Sequence, residues 1–160
     1  MTLSERLPPT TRRVELHTAE EINRRIELET DSRVARLAAR FPMSRYEDRL
    51  QELDAEWDVE RVLQANASTL ALGGVLLGAL VDRRFLALPT AVFGFLAMHA
   101  VQGWCPPIPV IRRLGVRTAH EIGRERHALK VLRGDYDGIP AADSAEPGDR
   151  VRAALEAVDR

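Results

Sequence analysis

Residues 62–81 read V-L-Q-A-N-A-S-T-L-A-L-G-G-V-L-L-G-A-L-V, a run of 20 residues without a charged side chain. As a helix this run is roughly 30 Å long, at about 1.5 Å per residue, which matches the hydrocarbon core of a bilayer. After Asp82, Arg83 and Arg84 the chain is again uncharged over residues 85–111. The pattern predicts an all-α protein built on a two-span transmembrane helical hairpin, with amphipathic cytoplasmic helices before and after it.

The three charged residues between the two runs predict a hairpin and not one long helix. At the centre of a bilayer, Asp82, Arg83 and Arg84 would each cost about 2.5 to 3.5 kcal/mol. Within about 20 residues of its ends the hairpin is flanked by nine basic residues, whereas the turn carries two. The positive-inside rule therefore predicts that both termini are cytoplasmic, and the expected location is the bacterial inner membrane. The nine flanking residues are Arg45, Arg49, Arg61, Arg112, Arg113, Arg117, Arg124, Arg126 and Lys130.

The start of the first predicted span is polar. Gln64, Asn66, Ser68 and Thr69 leave only residues 70–81 strongly apolar, and a helix of that length can also be the core of a soluble protein. A soluble helical bundle with the hairpin as its buried core therefore stays open as an alternative.

Charge is unevenly distributed along the 160 residues, although 23 Lys and Arg against 24 Asp and Glu give a net charge of only −1. Residues 112–134 hold 7 basic residues against 2 acids, directly behind the uncharged runs. The overall balance is not that of a nucleic-acid-binding protein. A single cysteine excludes an internal disulfide and a cysteine-based structural zinc site, and we predict neither a metal nor a cofactor.

The flanking segments carry start signals for helices. Thr18 with Glu21, Ser44 with Glu47 and Thr118 with Glu121 have the spacing of a capping box, and Gly134 is placed to end the third helix. Pro106, Pro107 and Pro109 predict an extended exit from the hairpin. The predicted organisation is a mobile N-terminus over residues 1–17, cytoplasmic amphipathic helices over 18–61, the hairpin with its exit turn over 62–111, a basic juxtamembrane helix over 112–136, and an acidic linker with a short terminal helix over 137–160.

The motif G-W-C-P-P, residues 103–107, lies directly behind the predicted hairpin. Together with the glycines of the first span and the short polar turn, it resembles a small bacterial inner-membrane domain of unknown function that also occurs fused behind rhodanese domains. The resemblance covers roughly residues 58–136. It implies a membrane location and no settled activity, and the rhodanese part that would bring sulfur transfer is absent from this chain.

Two single residues are candidates for chemistry. Cys105 is the only thiol, and it is either a reactive group that accepts sulfur, a metal or a disulfide partner, or a small buried residue in a rigid turn. His99 is the only ionisable side chain inside either span, so it is a candidate haem ligand, metal ligand or proton relay. A structural hydrogen bond from His99 to Thr69 or Gln64 on the first span is the plainer interpretation.

The end of the hairpin carries the residues expected at the membrane interface, which are Trp104, Arg112, Arg113 and Arg117. The basic segment behind the hairpin could bind anionic lipid headgroups or RNA. Apolar side chains interleave with its charges and no aromatic stacking platform accompanies them, which favours lipid over nucleic acid.

Small residues recur at helical spacing on both spans, as Gly74 with Gly78 and Ala87 with Ala91. Such faces let two helix backbones approach closely. They predict packing within the hairpin, with homo-oligomer formation as the alternative.

No phosphate-binding glycine loop and no zinc-ligand spacing occurs in the sequence. The predicted function is therefore a noncatalytic adaptor or accessory subunit, whose amphipathic helices dock a membrane or cytoplasmic protein partner while the hairpin anchors them. The alternatives are a sulfur- or redox-handling membrane module that uses Cys105, and a soluble helical-bundle interaction protein.

Overall fold

The computed structural model describes residues 9, 11–40, 42–141 and 143–159, and the secondary structure of these residues is helical throughout, without strands. The α-helices in chain order are α1 (Arg13–Leu16), α2 (Glu20–Arg40), α3 (Ser44–Ala55), α4 (Val59–Leu80), α5 (Ala87–Gln102), α6 (Ile108–Arg113), α7 (Ala119–Arg133) and α8 (Pro147–Asp159). A 3-10 turn over Arg83–Leu86 joins α4 to α5. The predicted all-α class is confirmed.

The chain divides into two compact units. The hairpin unit comprises the residues up to Glu29 together with Trp57–Ile122, and the second unit comprises Thr30–Glu56 together with the residues from Gly123 onward. Helices α4, α5 and α6 and the first part of α2 therefore belong to the hairpin unit, and α3 and α8 to the second unit.

The apolar core of the hairpin unit lies at one end of the α4–α5 pair. Its buried members come from α1, the first turns of α4, the segment after α5, and α6. Because α4 and α5 are much longer than this core, most of their length has no protein packed on its outer side. The core residues are Val14, Val59, Leu63, Cys105, Ile108 and Ile111.

In the second unit, Tyr46, Leu50 and Leu53 are buried on one side of α3, as their spacing predicts. Trp57, four residues after Leu53, lies beyond the end of α3 and is 49% exposed. Glu125 is fully buried, where its carboxylate accepts hydrogen bonds from Arg33 at 2.9 Å and from Arg49 at 2.8 Å and 3.2 Å.

Helix starts and stops agree with the sequence at α7. The Thr118 N–H donates to the Glu121 carboxylate at 2.8 Å and the Glu121 N–H donates to the Thr118 hydroxyl at 3.2 Å, which confirms the capping box. Gly134 has a φ of 84°, and the N–H groups of Gly134 and Asp135 donate to the carbonyls of Val131 and Lys130. This is a Schellman motif, in which glycine takes the left-handed conformation that other residues avoid.

The other two predicted capping boxes are wrong in their detail. Helix α3 begins at Ser44 itself, without a side-chain cap, and the Thr18 hydroxyl donates to the Val14 carbonyl. A cap that the sequence analysis missed starts α4, because the Asp58 carboxylate accepts the Arg61 N–H at 2.8 Å.

Two predicted irregular segments contain helices. Within the segment predicted to be a mobile N-terminus, residues 13–16 form α1 and Val14 is buried in the core, while residues 1–8 and 10 lie outside the described part of the chain. The predicted extended exit is also wrong, since α6 begins directly after Pro107. Proline is tolerated in the first turn of a helix, where an N–H group has no intrahelical acceptor.

Candidate functional site

The helical segments Ser44–Leu80 and Arg83–Gln102, which contain α4 and α5, are long and apolar enough to cross a membrane. Helices α4 and α5 pack against each other as a hairpin. Asp82 starts the 3-10 turn between them by accepting the Arg84 N–H at 2.8 Å. Only 28% of the most apolar window of the segment ending at Leu80 is buried, and only 11% of that in Arg83–Gln102. The core helix of a soluble protein is mostly buried, so the hairpin differs from that class in its exposed apolar surface.

The residues at the start of α5 and in the turn before it pack closely against two glycines of α4. A Cβ atom added to Gly74 would lie 2.6 Å from Cδ of Pro89, and one added to Gly78 would lie 2.6 Å from Cδ2 of Leu86. The Gly-x-x-x-Gly spacing therefore serves close packing within the hairpin, as predicted.

Ala87 and Ala91, which were predicted to form the matching small face of α5, are both exposed. The 3-10 turn brings Leu86, Leu88 and Pro89 against the glycines instead. Small residues on one helix are thus matched by large side chains on the other, so the prediction that the two alanines pack within the hairpin is wrong, while their alternative role in a homo-oligomer stays a prediction.

An ion-pair network of three residues, Arg13, Glu60 and His99, joins α1, α4 and α5 near the core. His99 Nε2 lies 2.8 Å from Glu60 Oε2, and the Arg13 guanidinium donates to Glu60 Oε1 at 2.9 Å. His99 was predicted to contact Thr69 or Gln64, which is wrong, because the Thr69 hydroxyl donates to the Ala65 carbonyl and Gln64 is exposed. Helix α4 begins at Val59, three residues before the uncharged run, and this places Glu60 beside the last turns of α5.

The Glu60 carboxylate uses one oxygen for each of its two partners, Oε1 for the Arg13 guanidinium and Oε2 for the His99 ring. Nδ1 of His99 is buried and has no hydrogen-bond partner in the described part of the chain. His99 thus has one structural contact, to a carboxylate, and a second nitrogen in an apolar environment.

Arg112 is the centre of a second polar cluster in the hairpin unit. Its side chain is 0% exposed, and its guanidinium donates to the Glu121 carboxylate at 2.6 Å and 2.7 Å, to Asn23 Oδ1 at 2.8 Å and to the Val116 carbonyl at 2.9 Å. A guanidinium without exposed surface cannot contact a lipid headgroup. The prediction of Arg112 as an interface residue is therefore wrong, and Arg117 is buried as well.

Thr118 and His120 adjoin this cluster through Glu15. The Thr118 hydroxyl donates to Glu15 Oε1 at 2.9 Å, and His120 Nδ1 lies 3.2 Å from the same oxygen. Because the Thr118 hydroxyl also accepts the Glu121 N–H, its hydrogen-bonding capacity is used in capping α7. These contacts are those of a structural network that ties α1 to the start of α7.

The four basic residues of α7 also have partners within the protein. In the second unit, Arg124 pairs with Asp31, Arg126 with Asp54 and Arg133 with Asp135, and the Lys130 ammonium donates to the Val158 carbonyl. Of the predicted interface arginines, Arg113 alone is exposed. Most of the charge that the sequence pattern assigned to lipid headgroups is thus neutralised within the fold.

Three positions of the G-W-C-P-P motif, Gly103, Cys105 and Pro107, have a structural role. Gly103 ends α5 with a φ of 81°, and Arg13 lies so close that a Cβ atom at residue 103 would be 2.6 Å from the Cβ of Arg13. Cys105 is 3% exposed within the core, and burial raises the pKa of its thiol. Trp104 is half-buried, and Pro107 precedes the first turn of α6.

Several contributors to the site were missed by the sequence analysis. Arg13 and Glu15 lay in the segment predicted to be mobile, and Glu60 was given no role. Trp57 and Arg61 were also missed as a pair, although the Arg61 guanidinium lies 4.5 Å from the centroid of the Trp57 ring. The Asp58 cap, which the sequence analysis also missed, was the available signal, because it places Trp57 directly before the first turn of α4, where Arg61 lies.

Within the described residues, no three His, Cys, Asp or Glu side chains are grouped so that they could hold a metal ion. Comparison of the chain with protein-family models, with curated proteins and with solved structures gives no significant match. The resemblance inferred from residues 103–107 therefore stays a prediction, and the function must be argued from the geometry.

Proposed function

We propose that this chain is a noncatalytic integral protein of the bacterial inner membrane, in which α4 and α5 span the bilayer and anchor the remaining helices on the cytoplasmic side as an adaptor or accessory subunit. The observation that carries the proposal is the apolar surface of the hairpin. Leu72, Leu76 and Phe93 are among many large side chains of α4 and α5 that are exposed. An apolar surface of this extent needs either lipid or a protein partner around it.

The charged residues support the same arrangement. The Arg13–Glu60–His99 network and the Arg112 cluster lie at the end of the hairpin that joins α1, α6 and α7. Between residues 62 and 98, the only charged residues are Asp82, Arg83 and Arg84 in the turn. Charge at both ends and none between them is what a bilayer requires of a helical hairpin. The same network fixes α1 and the start of α7 against the hairpin, so the anchor and its attached helices form a rigid base.

Membrane fractionation tests the location directly. The chain is expected in the membrane pellet after washing at alkaline pH and to be released only by detergent. Release by the alkaline wash would contradict the membrane proposal and favour the soluble helical bundle. A gentle detergent extract, chemically cross-linked before purification, should then yield this chain together with a second protein, whereas recovery of this chain alone would contradict the adaptor role.

The alternative of sulfur or redox handling at Cys105 has little physical support. A reactive thiol is exposed and has a lowered pKa, whereas Cys105 is buried and its pKa is raised. Maleimide labelling of the folded protein at neutral pH is expected to be slow and to become fast after denaturation. Rapid labelling of the folded protein would revive the alternative.

A further inference from the structure

Helix α6 lies level with the start of the first span. Its buried residues Ile108 and Ile111 share the core with Val59 and Leu63 of α4, which are four residues and so about 6 Å apart along the helix axis. If the hairpin spans the bilayer, this depth is the cytoplasmic headgroup region, because the uncharged run begins at residue 62.

The outer side of α6 is apolar at this depth. Val110 and Leu114 are four residues apart, on one side of the helix, and are 58% and 78% exposed. They continue the exposed apolar surface of the hairpin past the end of α5. Exposure of such side chains to water is unfavourable, whereas the boundary between headgroups and acyl chains of a bilayer would bury them.

Two arginines at the same level lack a carboxylate partner. Arg113 on α6 and Arg61 on α4 are exposed, and neither guanidinium makes an ion pair with another described residue. The Arg61 guanidinium lies over the Trp57 indole, and the exposed Arg25 donates to the carbonyl of Arg113 at 2.9 Å. Among the described residues, the unpaired guanidinium groups of Arg61 and Arg113 contrast with the paired basic residues of α7.

We propose that Trp57, Arg61, Val110, Arg113 and Leu114 form a lipid-headgroup collar around the cytoplasmic end of the hairpin. This inference rests on the membrane location proposed above. In the collar, Val110 and Leu114 enter the acyl boundary, Trp57 lies at the headgroup level where indoles are favoured, and Arg61 and Arg113 bind the phosphates of anionic phospholipids. The partner chemistry follows from the combination of exposed apolar side chains with unpaired cations, which complements an anionic bilayer surface.

The depth of the collar is tested by spin labels on the full chain in lipid nanodiscs. Labels are placed at Leu76→Cys in the hairpin, at Leu114→Cys in the collar and at Leu28→Cys, an exposed leucine of α2, each in a Cys105→Ala background. Collisions with oxygen and with a water-soluble nickel complex then report lipid and water access. We expect the labels at positions 76 and 114 to collide more often with oxygen than with the nickel complex. The ratio of oxygen to nickel collisions should be higher at position 114 than at position 28.

The outcomes separate the collar from the hairpin. If the label at position 76 lies in lipid but the label at position 114 is no deeper than the label at position 28, the collar is overturned and the span remains. A label in water at Leu76 overturns the span, and the collar with it.

Lipid preference is measured with the native cysteine in place, so that it does not depend on the Cys105→Ala background. The readout is the immobilised fraction of spin-labelled phosphatidylglycerol relative to spin-labelled phosphatidylcholine. The wild type is expected to prefer the anionic lipid, with each arginine contributing roughly fivefold at its own site. The double variant Arg61→Gln, Arg113→Gln should lose the preference.

The matched control Arg36→Gln, Arg45→Gln removes two exposed arginines of the second unit and should keep the preference. An unchanged preference in the Arg61, Arg113 variant overturns the role of these arginines. An equal loss in both double variants also overturns it, because the preference would then follow net charge and not position.

Discussion

Arg112 illustrates how the role of a single residue depends on partners distant in the sequence. Its charge and its position behind the hairpin are those expected of an interface arginine, but Arg112 is buried whereas Arg113 beside it is exposed. The difference is made by Glu121 and Asn23, which meet Arg112 through the fold. Of these contacts, only the Thr118–Glu121 cap that orients the carboxylate could be predicted, because a capping box is local in sequence. The distant contact with Asn23 leaves no pattern.

The Arg112 cluster should be a main determinant of stability in the hairpin unit. Arg112→Ala removes the ion-pair partner of the Glu121 carboxylate, which keeps the Thr118 N–H, and it removes the guanidinium donor to Asn23 Oδ1. Breaking a buried ion pair in this way costs about 3 to 5 kcal/mol. Arg113→Ala, at the exposed neighbouring position, should change stability by less than about 0.5 kcal/mol. Thermal unfolding in mild detergent checks the pair of variants. Equal melting temperatures would show that the cluster contributes nothing.

Glu60 should contribute to the stability of the hairpin unit. Glu60→Gln removes the negative charge that faces both Arg13 and His99. The variant should therefore have a lower melting temperature than the wild type in mild detergent, because hydrogen bonds to a charged group are stronger than those to a neutral amide. The exposed Glu156→Gln is the control and should melt like the wild type. Equal melting temperatures for Glu60→Gln and the wild type would contradict a structural role for these contacts.

At the scale of the elements, the sequence predicts the two apolar helices of the hairpin and most other helices well because their signals are local. Uncharged runs, capping boxes and a terminal glycine each act within a few residues. The errors concern segments whose structure depends on burial elsewhere. Four residues of α1 would not be helical alone, and they are held by Val14 in the core and by Arg13 on Glu60. Likewise, α6 forms although three prolines surround its start, because Ile108 and Ile111 are buried.

The packing of α4 on α5 should depend on Gly74 and not on its neighbour Gly73. Gly74→Ala places a methyl group against the rigid ring of Pro89, and overpacking of this kind costs about 1 to 3 kcal/mol. Gly73→Ala has open space around the new methyl group and should be neutral, or stabilising by up to about 1 kcal/mol, because alanine favours the helix. Unfolding of both variants in detergent compares them. A Gly74→Ala variant as stable as Gly73→Ala would refute the close approach of the two helices.

For the whole molecule, the proposed membrane topology implies that the arginines behind the hairpin act twice, at different times. During insertion they would orient the chain, because the positive-inside rule counts basic residues near the spans before tertiary contacts form. In the folded protein, Arg112 is buried, and Arg124 and Arg126 pair with acids of the second unit. The count of basic residues is therefore expected to predict the orientation independently of the final position of each charge.

Topology mapping tests this order of events. Alkaline phosphatase fused after the C-terminus should be inactive and green fluorescent protein at the same place fluorescent, because both termini are expected in the cytoplasm, while phosphatase inserted after Arg84 should be active. The double variant Asp31→Asn, Asp54→Asn removes the folded partners of Arg124 and Arg126, so it should lower the melting temperature and leave the reporter pattern unchanged. If orientation depended on the folded ion pairs, the same variant would give a mixed reporter pattern. An active phosphatase at the C-terminus of the wild type would instead contradict the orientation itself.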